Sequence, residues 1–186
     1  MDYIQLIKNW HAKASEEDYF SKFVFEYLAF IAYLKTQKYP SNDRMRSVTD
    51  RSVVQQLKRE QVIKNNYLSR VRRSQELRHA WQKLKEELDR SPLGNVSRNP
   101  ELVEQIRWWN CSHDNLGEKT DEEKRRACGI LQSLDDWENM VEFWHSIRNN
   151  LFHGGKDPEA ERDQLIVKNG YLTLRELSEI FLNERP

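Results

Sequence analysis

The sequence predicts an all-α helical bundle, on three observations. Apolar residues recur at spacings of three and four along most of the chain, and helix-starting and helix-ending residues bracket those stretches. No alternating strand segments with hairpin turns, internal repeat or low-complexity tract interrupts them. A chain of 186 residues is long enough for one well-filled core and short for two, so residues 1–186 are expected to form a single domain.

The first helix signal is Ser15-Glu16-Glu17-Asp18, a capping hydroxyl followed by acids that suit the positive end of a helix dipole. Tyr19, Phe20, Phe23, Val24, Tyr27, Leu28, Ile31 and Leu34 then carry the period, and Phe25, Phe30 and Tyr33 widen the apolar arc. A helix so apolar is central or forms a dimer face; it stops near Tyr39-Pro40-Ser41-Asn42. From Asp50 to Leu88 the pattern is helical again, as one long helix or two, and it ends at Ser91-Pro92-Leu93-Gly94-Asn95. Asn99-Pro100 opens a shorter piece, Glu101 to Trp109, and Cys111 to Thr120 reads as loop.

Asp121 is expected to cap a last long helix, whose stripe of Ile130, Leu134, Trp137, Val141, Trp144, Ile147 and Leu151 runs into His153-Gly154-Gly155. The paired glycines should terminate it. Asp157-Pro158-Glu159 starts a C-terminal helix that reaches Phe181, with Asn169-Gly170 as a candidate break.

The core must be aromatic. Trp 6, Tyr 7 and Phe 7 compensate for an apolar fraction of only 38%, while charged residues at 32% and a mean hydropathy of -0.91 imply a densely charged surface. Basic and acidic residues balance at 30 each, but from Arg44 to Arg90 the basic ones outnumber the acidic ones 13 to 6. That excess could hold phosphates, or it could be a solvated face laced with i,i+4 pairs such as Glu60 with Lys64. Cys111 and Cys128 are the two cysteines, and Met1 to Trp10 mixes charge with apolar residues unlike a secretory leader, so a cytoplasmic protein with free thiols is expected. The longest apolar stretch, Phe23 to Leu34, is interrupted by Glu26 and is too short for a bilayer.

The stretch that can carry chemistry is Trp144 to Lys156. Arg148 falls four after Trp144 and seven after Val141, which sets a guanidinium on the inward stripe, where it needs an anionic partner or a water-filled site. His153 lies about 140° around an ideal helix from Arg148. The two therefore converge only if the helix ends there or a second subunit supplies one of them. A helix C-terminus also favours a cation, which suits a proton donor.

Arg148, a polar residue, three further positions and His153, near the end of a long helix, resemble the R-x4-6-H motif of HEPN domains (higher eukaryotes and prokaryotes nucleotide-binding). Phe20-Ser21-Lys22-Phe23-Val24-Phe25-Glu26-Tyr27-Leu28-Ala29-Phe30 is similar to the aromatic first helix of the Apea-like and related HEPN groups. Gly154-Gly155-Lys156-Asp157 with Glu161-Arg162-Asp163 resembles their stretch after the histidine. The resemblance implies a HEPN-like bundle with additional helices in the middle of the chain, since Arg44 to Lys119 has no counterpart. It implies two protomers whose Arg-His motifs line one cleft, and metal-independent RNA cleavage with the 2′-hydroxyl as nucleophile. In that role Arg148 would stabilise the phosphorane, His153 would act as general acid or base, and Asn149 would orient the phosphate or the histidine. Asn150 and Lys156 would bind substrate, and no cofactor or metal would be needed. The biological setting would be a toxin or defence effector, or RNA processing, with a nucleotidyltransferase-like antitoxin as partner. The alternative is a HEPN module that binds a nucleotide or a protein without turnover.

Other residues are weaker candidates. Cys111 and His113 lack a second ligand pair at zinc-finger spacing. Trp108-Trp109 could stack bases but fits core packing or a dimer contact better. His145 reads as a surface histidine that could assist Arg148, and His11 and His79 have no partner in view.

Overall fold

A computed structural model describes residues 2–14, 18–40, 48–94, 108–111 and 118–183, and among them every regular element is helical. Helix α1 (Tyr3–Lys13) starts at Asp2, whose side chain accepts from the Gln5 N–H. The sequence reading assigned no helix there. α1 packs along α2 (Tyr19–Tyr33), burying Ile7 and pairing His11 with the fully buried Glu26 at 3.0 Å. His11 therefore has the partner that the sequence left out of view.

Asp18 caps α2, accepting from Phe20 and Ser21; Ser15 to Glu17 lie outside the described residues. Beyond α2 a π-helical turn over Leu34–Lys38 closes with Tyr39 N–H on the Leu34 carbonyl, and the chain turns where the Tyr39-Pro40 chemistry predicts.

The segment from Asp50 to Leu88 is neither one helix nor two. It forms α3 (Asp50–Lys58), α4 (Gln61–Arg73) and α5 (Gln75–Arg90). The first break is closed by i→i+3 bonds from Arg59 and Glu60 to Gln56 and Leu57. At the second, Ser74 takes extended backbone and its hydroxyl accepts from Leu77 N–H, so one serine ends α4 and caps α5. The helical piece expected over Glu101 to Trp109 falls mostly outside the described residues.

The last long helix is also divided. Thr120, not Asp121, caps the short α6 (Asp121–Ala127) in a capping box with Glu123. Cys128 is extended and Gly129 has φ 76°, a left-handed conformation that a continuous helix cannot hold. Asp136 then caps α7 (Trp137–Phe152). α8 (Glu161–Asn183) runs unbroken through Asn169-Gly170.

α2 and α5 pack on α8, α3 on α7 and α4 on α5. They meet over the aromatic core that the composition demands, with Trp144 central: Trp81 at 5.5 Å, Tyr67 at 5.6 Å, Trp137 at 6.3 Å and Phe30 at 6.4 Å between ring centroids. The polar tips of these rings find partners, as burial requires. Trp81 Nε1 donates to Tyr67, whose hydroxyl donates to the Thr173 carbonyl, and Trp144 Nε1 donates to Thr173 Oγ1.

Cys111 and Cys128 are disulfide-bonded, so the expected free thiols are not there, and the argument they lent to a cytoplasmic location falls with them. The sequence could not show that the two cysteines meet, because they come from segments 17 residues apart that only the fold brings together. Among the described residues no helix is long and apolar enough to cross a membrane.

Candidate functional site

α7 carries the site, and the way it ends decides what is displayed. Its C-cap is His153, Gly154 follows at φ 69°, Gly154 N–H bonds the Leu151 carbonyl at 3.2 Å and Gly155 N–H bonds the Asn150 carbonyl at 2.7 Å. This is the Schellman arrangement, and its left-handed position takes glycine at no steric cost. His153 is thereby held at the tip, exposed, and its ring has no hydrogen-bond partner among the described residues.

Arg148 lies one turn back. Its side chain is 31% exposed, Nη1 donates to Asn149 Oδ1 at 3.0 Å, and the guanidinium lies 4.6 Å from the Phe152 ring centroid and 5.9 Å from that of Tyr27. The anionic partner that the inward stripe demanded is Asp50, the first residue of α3, at 3.5 Å. That distance is beyond a good charge-assisted bond. Asp50 binds Lys35 at 2.6 Å instead, so Arg148 is attracted but not saturated.

The structure brings Arg148 and Asn149 into contact and sets His153 at the same helix end. Because α7 is regular through Phe152, the offset of about 140° between Arg148 and His153 remains within one chain. Asn150 is 2% exposed and its amide donates to the Gly94 carbonyl at 2.9 Å, tying the end of α7 to the segment after α5. Lys156, with a side chain 4% exposed, is held by Asp163 at 2.6 Å. Both are committed to joining elements.

Sequence reasoning missed the polar ridge that precedes Arg148. Asn139, Glu142 and His145 follow at successive steps of three, and all are buried. Glu142 takes both carboxylate oxygens to Arg51 at 2.8 Å and Oε2 to Lys58 Nζ at 2.6 Å; Lys58 also donates to the Trp108 carbonyl at 2.6 Å. Burial would raise the Glu142 carboxyl, but Lys58 and Arg51 prevail and hold it below its usual range. Arg51 also lies over the Trp108 ring at 4.4 Å, and Trp109 is buried in the core, so these tryptophans serve packing and ion-pair cover.

His145 is not a surface histidine. It is 4% exposed, its Nδ1 lies 2.6 Å from the Tyr27 hydroxyl, and burial, then the charge of Arg51, pushes its pKa down to about 4. The ring is neutral at pH 7 and shares a hydrogen bond with the phenol, whose own pKa burial raises. The signal for all this was present in the sequence as Asn139, Glu142, His145 and Arg148 at every third position of one helix.

Cys111 is consumed by the disulfide, and His113 lies outside the described residues. Among the described residues no group of three or more His, Cys, Asp or Glu side chains is placed to hold a metal ion. No protein-family model matches the chain, and no curated protein or solved structure does either.

Proposed function

We propose that this chain is a HEPN-type endoribonuclease that cuts RNA without metal, acting as a toxin or defence effector. The observation that carries the reading is the end of α7: a part-exposed Arg148 whose carboxylate neighbour stands off at 3.5 Å, and an exposed His153 whose ring is unengaged among the described residues. In the reaction the RNA 2′-hydroxyl attacks the adjacent phosphorus and the 5′-oxygen leaves. Arg148 stabilises the added charge, and His153 moves the proton as general acid or base. Asn149, already bonded to Arg148, orients the guanidinium. DNA lacks the nucleophile and resists.

The offset within one chain makes the active form a dimer, in which His153 of one copy faces Arg148 of the other. The apolar surface beside the site fits that assembly: Phe152 is 58% exposed and lines a cavity with Phe20, Val24, Phe25 and Leu151. A nucleotidyltransferase-like antitoxin is the partner this reading calls for.

The test is incubation of the purified protein with mixed RNAs in EDTA. The expected products end in a 2′,3′-cyclic phosphate and a 5′-hydroxyl, and His153→Ala or Arg148→Ala should lower the rate by about a hundredfold or more. Intact RNA across varied substrates would leave the second reading, a module that anchors an anion without turnover.

A further inference from the structure

Part of the positive charge in the middle of the chain is spent on pairs. Arg51 and Lys58 are bound to Glu142, Arg70 to Glu176, Lys85 to Asp89 and Arg90 to Glu87. Where α4 meets α5, further basic side chains come together. The break at Ser74 makes a groove of about 920 Å³ lined by Arg72, Arg73, Arg78 and His79 with Gln75, Gln82 and one acid, Glu76. All four basic side chains are exposed. Arg73 is held by Ser69 Oγ at 2.7 Å and Arg78 donates to the Arg72 carbonyl, and among the described residues neither has a carboxylate partner. Arg72 has only an exposed contact to Asp135 at 3.2 Å, of the kind that adds little and is easily exchanged.

We infer that this groove is a second nucleic-acid contact, a seat for backbone phosphates remote from Arg148 and His153. Its chemistry selects the ligand. Guanidinium forks match phosphate oxygens in pairs, where lysines would offer only point charges. Two glutamines supply neutral hydrogen bonds of the kind made to phosphate and sugar. Apart from the His79 ring the lining carries no aromatic or aliphatic side chain, which weighs against a small-molecule pocket.

The position extends the nuclease reading, on which this inference rests. Arg72 reaches Asp135, just before α7 begins, while Arg148 and His153 lie at its far end. The helix rise puts on the order of 20 Å between Asp135 and Arg148. An RNA strand seated in the groove can therefore pass along the bundle to the Arg-His end, and the groove would supply affinity without touching the scissile bond.

Binding of a fluorescein-labelled 2′-O-methyl RNA, which has no free 2′-hydroxyl and cannot be cut, separates this inference from cleavage. By fluorescence anisotropy in EDTA at low salt, the wild-type chain should bind, and Arg73→Glu/Arg78→Glu should bind at least tenfold more weakly. Arg73→Gln/Arg78→Gln should lower the slope of log affinity against log salt by about 1.4, the single-strand value for two lost phosphate contacts. Lys83→Gln/Arg90→Gln, changed on α5 but outside the groove, should leave affinity and slope near wild type. Circular dichroism melts that match wild type exclude misfolding, and the exposed positions favour that result. The inference is overturned if wild type does not bind, if the groove variants bind like wild type, or if the control pair weakens binding as much. Polyglutamate of equal charge competing as well as the RNA would also overturn it. Cleavage by a groove variant at saturating RNA would leave the nuclease reading intact, and absence of cleavage in wild type would leave this binding result untouched.

Discussion

His145 shows how one buried side chain ties stability to pH. A neutral ring bonds the Tyr27 hydroxyl at 2.6 Å, whereas a charged one would be desolvated beside Arg51 and Arg148, with Glu142 and Asp50 only partly offsetting them. Its folded pKa of about 4 lies below the ordinary 6.5, so between those values the unfolded chain binds the proton more strongly. Stability is therefore fully present above pH 6.5 and is lost as pH falls toward 4, by about 2–3 kcal/mol at pH 4.5. Urea melts at pH 7.5 and 4.5 should show this drop, and His145→Gln should show less of it, because only the histidine's share disappears. Equal drops in both proteins would mean that the carboxylates alone account for acid sensitivity. Arg148 was legible from the sequence as the odd cation on an apolar stripe; its neighbours Asp50 and Tyr27 were not, because they come from other helices.

Among the elements, α8 is the one whose continuity needs an explanation, since it contains Gly170 yet does not break. A Cβ at Gly170 would meet Ile147 Cδ1 at 2.9 Å and the Phe23 ring at 3.3 Å. The glycine is there to let α2 and α7 approach α8, not to end it. Gly170→Ala gains about 0.5–1 kcal/mol of helix preference but overpacks a fully buried junction, at about 1–3 kcal/mol. A net loss in thermal stability is expected, and an alanine variant melting higher than wild type would show that the junction can relax. Gly154 makes the opposite case, with nothing near its missing Cβ and a backbone that alanine resists. There the glycine pair was readable as a stop signal because helix termination is local chemistry. Gly170 was ambiguous because packing across helices is not.

At the scale of the molecule the disulfide fastens the Trp108–Cys111 segment to the stretch between α6 and α7. The same segment is held by Asn139, which accepts from Asn110 N–H and donates to its carbonyl, and by Lys58 on the Trp108 carbonyl. Closing a loop of this length removes unfolded-state entropy equivalent to about 3 kcal/mol. Dithiothreitol should therefore lower the melting temperature of the wild-type chain by several degrees and leave Cys111→Ser unmoved. A wild-type melt indifferent to reductant would show that the bond contributes nothing.

The sequence by itself determined the all-α class, the aromatic core, the approximate starts of α2, α3, α6 and α8 and the stop at Gly154, because periodicity, caps and glycine act within a few residues of one another. Only the tertiary structure decided that Glu142 is neutralised by two cations, that His145 is buried on Tyr27, that Asp50 stands near Arg148, and that three arginines share a groove. Each of those depends on charges from separate helices meeting in space, and a linear pattern does not encode how far apart they come to rest.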